Sequence, residues 1–330
     1  MVQIMSKIKK INITFLMTVL VSIFGSVLTS YIYLITKNMV YVLISSQILL
    51  MIPTLVYITS NKLNLAKAIR FNKIKISNIL LVILFSYLIT PLMSLINLLS
   101  MLFVRNNIQN TVEVIAGQNP LYISMIAIAL IPCMFEEAVY RGIFYNEYRK
   151  TNVKSGILLS ALLFALLHMN FNQFFYAFVM GVVFVILIEA TDSILSSMII
   201  HFVINGTSVL NLYMMPKLHD ILEEIDPVYA ENFGDNLNTN LTRTEILASV
   251  TSIWPLVIVT TILAGLVLYA IANNSNRLEQ LKGIFTGMSQ VEMEEEEEIS
   301  EESDNDKSLI TIPLLIGIAI CLVVMVVVEL

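Results

Sequence analysis

The sequence predicts an all-α fold, a polytopic transmembrane helical bundle of about eight core helices plus a C-terminal helix. Three observations carry this. Of 330 residues, 57% are hydrophobic and 13% charged; mean hydropathy is +0.81; and apolar runs of about 20 residues, the length that crosses a bilayer, recur along the chain. A soluble domain has about a quarter charged residues. The net charge of -6 reflects two acidic clusters, Asp220 to Asp235 and Glu292 to Asp306. No basic patch marks a nucleic-acid partner, so the lipid bilayer is the expected surrounding. Cys133 and Cys321 both lie in apolar runs, which implies no disulfide framework.

Nine runs are expected as spans, at 11–36, 39–60, 78–104, 121–140, 155–168, 174–190, 194–212, 252–272 and 309–329. The first follows Lys7, Lys9 and Lys10 as a signal peptide would, but is too long for a signal segment and has no clear cleavage site, so it is expected to be retained. The run 155–168 covers only about 21 Å at ~1.5 Å per residue, short of the ~30 Å hydrocarbon core. It should stop within the membrane or at a polar cavity lined by Asn170, Asn172 and Gln173. The last run reads as an appendage, with Glu292 to Asp306 a solvated acidic linker before it. Lysine and arginine concentrate at the N-terminus, between Lys62 and Lys75, and at Arg149, Lys150 and Lys154. These loops alternate correctly as cytoplasmic, placing the N-terminus inside and, with nine spans, the C-terminus outside.

Polar residues in the middle third interrupt this apolar background. A carboxylate near the bilayer centre costs roughly 2.5–3.5 kcal/mol on insertion scales, and such residues usually face a working interior. Glu137 and Arg141 are four apart on one helix and can pair, whereas Glu136 points about 100° away and has no local partner. Glu136 and His168 each lie about 16 residues from the turn at 152–153, so antiparallel helices place both roughly 24 Å from it. His201 and Asn205 share a third helix face; they suit a developing oxyanion, or serve as helix–helix glue. Glu189 and Asp192, at a cytoplasmic helix end, are expected to face water, and His219 to be solvated in the outer loop.

A glutamate, two histidines and an asparagine meeting inside a bilayer suit general-base hydrolysis. Glu136 would deprotonate a water that His168 helps to position, and His201 with Asn205 would stabilise the oxyanion. The chain has no nucleophile-elbow serine and no His-Glu-x-x-His motif. The order Glu136-Glu137-x-x-x-Arg141, Phe164-x-x-x-His168 and His201-x-x-x-Asn205 resembles the three-motif signature of the CAAX-processing and bacteriocin-processing (CPBP) membrane endopeptidases, over roughly residues 121–208. The resemblance implies an all-helical glutamate-dependent intramembrane endopeptidase with Glu136 as base, His168 as its partner, and His201 and Asn205 as the oxyanion site. Glu137, Arg141 and Phe164 are its supporting members.

No cofactor is expected. The alternative is zinc or another divalent metal on Glu136, His168 and His201, which lack a close-spaced chelating pair. The expected substrate is a hydrophobic or membrane-associated peptide, and residue usage rich in Ile, Asn and Lys points to a bacterial cytoplasmic membrane. Bacteriocin or pheromone maturation, or immunity to such peptides, is then expected over prenylated CAAX substrates. Rival functions are a non-catalytic membrane scaffold or regulator and a proton-coupled transporter with a Glu136–His168 relay; the chain shows no paired repeat of the transporter kind. The expected division is N-terminal transmembrane helices at 1–120, a catalytic transmembrane core at 121–212, an acidic extracytoplasmic loop at 213–251, a transmembrane helix at 252–272, an acidic linker at 273–308 and a C-terminal transmembrane helix at 309–330.

Overall fold

Short polar side chains at the edges of the apolar runs start the helices. Ser6, Asn38, Asn152, Asn170 and Ser193 each accept a hydrogen bond from a backbone N–H in the first turn that follows, and Thr242 with Glu245 forms a reciprocal capping box. The computed structural model describes residues 6–104, 106, 108–226, 241–286 and 308–329. Its main helices are α1 (Lys7–Thr36), α2 (Met39–Ser60), α3 (Ile76–Met101), α4 (Leu121–Tyr148), α5 (Val153–Leu167), α6 (Phe171–Thr191), α7 (Ile194–Ile225), α8 (Arg243–Asn274) and α9 (Ile312–Glu329). All but α5 are long and apolar enough to cross a membrane, eight among the described residues. At 15 residues α5 falls short, as its run length required. The protein is an all-α, multi-pass membrane protein.

Polar side chains fasten the bundle at its ends, where water is near. The Asn12 amide donates to Leu309 O and Thr311 Oγ1, both at 2.9 Å, and Tyr148 Oη donates to Asn12 Oδ1 at 2.7 Å. The start of α9 is thereby tied to the first helix and to the end of α4. One face of α9, with Leu314, Gly317, Cys321 and Met325, is buried, and Gly317 lets the ring of Phe15 approach to 2.9 Å of where a Cβ would stand. The last helix is therefore docked, not merely appended. At the other end Tyr213 Oη meets Ser124 Oγ at 2.9 Å, and Asn38 donates to Asn119.

The sequence expectation for Glu189 needs correction. It is 2% exposed and lies where arginines from three segments converge, one of them the loop between α2 and α3, whose Arg70 and Asn72 bond to Asp192 in the α6–α7 turn. Arg70 pairs with Glu189 and Asp192, Arg149 Nε stands 3.4 Å and Arg277 Nη2 3.5 Å from Glu189, and Tyr145 Oη donates to it at 2.8 Å. Burial alone would lower the Arg70 guanidinium, but the facing Glu189 and Asp192 carboxylates hold it above its ordinary value. Asp192 is 42% exposed and does meet solvent. Glu189→Gln leaves three guanidiniums short of one shared charge, and a loss of about 3 kcal/mol is expected in unfolding of the detergent-solubilised protein.

Other boundaries also shift. Helix α7 runs on to Ile225 and α8 begins at Arg243, so much of the expected outer loop is helical, while 227–240 lies outside the described residues. The acidic linker at Glu292 to Asp306 lies outside them as well. Helices α5 and α6 form a close hairpin in which a Cβ on Gly181 would meet Ala161 Cβ at 2.7 Å and Ala161 Cα at 2.8 Å. Gly181→Val should push them apart and cost about 1–3 kcal/mol, read as a lower Tm; an unchanged Tm would mean that this contact is loose.

Candidate active site

The geometry of the glutamate pair begins with a proline. Pro132 has no N–H to offer Ile128 O, and its ring crowds that carbonyl. Helix α4 answers by widening into a π-helical turn over Met125–Leu130 and returns to α-helix at Ile131–Glu137; a second π-helical stretch follows over Ala138–Tyr145. Such turns recur at functional sites. The Asn205 side chain on α7 donates to the Ile128 carbonyl at 3.1 Å. One N–H of Asn205 is thus committed to helix α4, and the amide keeps a second one.

Glu137 is fully buried and pairs with Arg141 at 3.1 Å, as the four-residue spacing predicts. It also accepts from His201 Nδ1 at 2.9 Å, a contact between helices that no local spacing announces. The Arg141 guanidinium lies over the Phe164 ring, 4.0 Å from its centroid, with Phe184 at 5.0 Å. These rings shield the buried cation and contribute cation–π attraction. Phe164 also holds His168, through its carbonyl to His168 Nδ1 at 2.8 Å and through an edge-on ring contact at 4.8 Å.

Glu136 differs from its neighbour. Its side chain is 15% exposed and no arginine or lysine pairs with it among the described residues. Gln47 on α2 donates to its Oε1 at 2.7 Å, and His201 Nε2 stands 3.9 Å from its Oε2. Tyr140 and Phe164 stack edge to face at 5.2 Å. One turn further from the loop on each helix, that register brings Glu136 and His168 to the same level. His168 lies within electrostatic reach of Glu136, His201 and Arg141, although no hydrogen bond joins it to Glu136 among the described residues.

The partners fix the histidine protons. A carbonyl and a carboxylate can only accept, so His168 and His201 both carry a proton on Nδ1 and turn Nε2 into the site. Among the described residues, three buried atoms here have no hydrogen-bond partner: Gln47 Oε1, Tyr140 Oη and Arg141 Nη2. An open apolar groove of about 590 Å³, lined by Leu121, Tyr122, Met125, Ile126, Leu130 and Phe202, runs along α4 and α7. These are the helices that carry Glu136 and His201.

The alternative metal set does not close. Glu136, His168 and His201 do not bring three ligand atoms within 4.8 Å of one another. Among the described residues only His219, Asp220 and Glu223 do so, on the exposed end of α7 and apart from the motif residues. A zinc site needs ligands about 2.0–2.2 Å from one centre, and no step through a metal is derived. The sequence motifs missed Gln47, whose only signal is a lone amide inside the apolar run 39–60.

Buried ionisable groups gathered between membrane helices define a polytopic membrane protein with an internal polar site. Residues 118–207 match the family described as type II CAAX prenyl endopeptidase Rce1-like. This chain therefore carries a CAAX-protease-like domain of the CPBP family over those residues, a domain of a protease-associated family. No curated protein and no solved structure gives a match.

Proposed function

We propose that the protein is an intramembrane endopeptidase that hydrolyses peptide bonds in hydrophobic or membrane-associated peptides, with Glu136 as general base. The observation that carries this is Glu136 itself, a partly accessible carboxylate in a membrane helix, steadied by a neutral amide with no arginine or lysine paired to it among the described residues. A structural carboxylate is expected to resemble Glu137, sealed and ion-paired. The 3.9 Å between Glu136 Oε2 and His201 Nε2 is a separation that a bridging water spans.

In this reading the water oxygen bonds to the scissile carbonyl carbon as its proton passes to Glu136. The oxyanion receives the free N–H of Asn205, and His201 Nε2 faces the same point from the side of Glu136. Collapse breaks the C–N bond and returns the proton to the leaving amine, with His168 Nε2 placed to assist, giving a free carboxyl group and a free amine. An apolar groove along α4 and α7, the helices that carry Glu136 and His201, suits a hydrophobic substrate. The proposed physiological task is maturation of bacteriocin or pheromone peptides, or immunity to them.

The test is cleavage of a degenerate library of quenched fluorescent hydrophobic peptides by the purified protein in detergent, with scissile bonds read by mass spectrometry. Wild type should cleave and Glu136→Gln should not, with or without a chelator. Equal cleavage by both would overturn the reading. Loss on chelation with recovery on adding zinc would replace the metal-free mechanism.

A further inference from the structure

Gln47 lies on α2, outside the matched domain, and is 7% exposed. Its Nε2 faces a carboxylate oxygen at 2.7 Å, so the amide orientation is chemically fixed: nitrogen toward Glu136, oxygen away. That oxygen, Oε1, is buried and has no partner among the described residues. An unmet buried acceptor is unfavourable, and native structures rarely keep one without a use. Replacing Gln47 by leucine would remove the unmet group at little change in volume, so packing alone does not explain the amide.

We propose that Gln47 is a positioning residue of the hydrolytic site, holding one oxygen of Glu136 through Nε2 so that the other is presented to the attacking water. The inference rests on the reading of Glu136 as the base. With one oxygen of Glu136 held by Gln47, the other is left facing His201 Nε2. Without Gln47 the carboxylate can rotate away from the water it deprotonates. Misplacing a reacting group by about 1 Å costs on the order of 100-fold in rate. The contact orients the base and not the substrate, so the effect belongs in kcat.

The experiment compares wild type, Gln47→Leu, Glu136→Gln and the double variant on one peptide that wild type cleaves, chosen from the library above. Gln47→Leu should lower kcat about 100-fold with KM within twofold, and Gln47→Glu, which keeps an acceptor but sets a second carboxylate against Glu136, should not restore it. In the Glu136→Gln background, Gln47→Leu should add nothing, because the base it positions is gone. If Gln47→Leu lowers the Tm, Gln47→Met, closer in length, takes its place. An unchanged kcat in a folded Gln47 variant, or a change confined to KM, overturns the role of Gln47 while leaving Glu136 as base. Full activity of Glu136→Gln overturns both.

Discussion

Glu136→Gln is expected to lower kcat about 1,000-fold, within the 10²- to 10⁴-fold range of a lost general base, while leaving the protein as stable as wild type or slightly more so. The amide is the same size and its oxygen can still accept from Gln47 Nε2. No arginine or lysine is stranded, because none pairs with Glu136 among the described residues. Removing a part-buried charge from a membrane helix relieves a desolvation cost. Thermal unfolding in detergent, run beside the peptide assay, separates the two effects. A Tm well below wild type would assign Glu136 a structural role and remove the main support for the hydrolytic reading.

The adjacent substitution should do the opposite. Glu137→Gln leaves the Arg141 guanidinium, 1% exposed, without its countercharge, and breaking one half of a buried ion pair costs about 3–5 kcal/mol. It also weakens the support of His201 Nδ1. A much lower Tm is expected, with activity lost only in proportion to misfolding and to the altered His201. Glu137→Gln combined with Arg141→Met should recover most of the stability, since a buried pair replaced on both sides is often neutral. If Glu137→Gln alone were as stable as wild type, the pair would be neither buried nor strong.

Those contrasting outcomes follow from features with different visibility in the chain. The Glu137–Arg141 pair was legible because four residues on a helix fix their own proximity. Likewise the depth match of Glu136 and His168 needed only a turn position and a rise per residue, and Tyr140 against Phe164 supplies that register. The short length of α5 and the starts of α2 and α7 were local too, whereas α5 and α6 begin at Val153 and Phe171, ahead of the expected 155 and 174. By contrast, the Glu189 environment was misjudged, because Arg70, Arg149 and Arg277 reach it from three separate segments. Gln47 was missed for the same reason, being distant in sequence from every motif residue.

What the sequence alone determined was the class of protein, its helical passes, the Rce1-like domain and the identity of the polar residues at stake. Apolar run length, capping side chains and four-residue spacing act within single helices, so they survive without knowledge of the fold. Only the tertiary structure decided that His201 stands between two glutamates, that Asn205 holds the carbonyl Pro132 leaves free, and that Glu136 is met by Gln47. Those contacts depend on how helices rotate and pack against one another, which is set by closely fitting pairs such as Gly181 with Ala161 and has no period in the sequence.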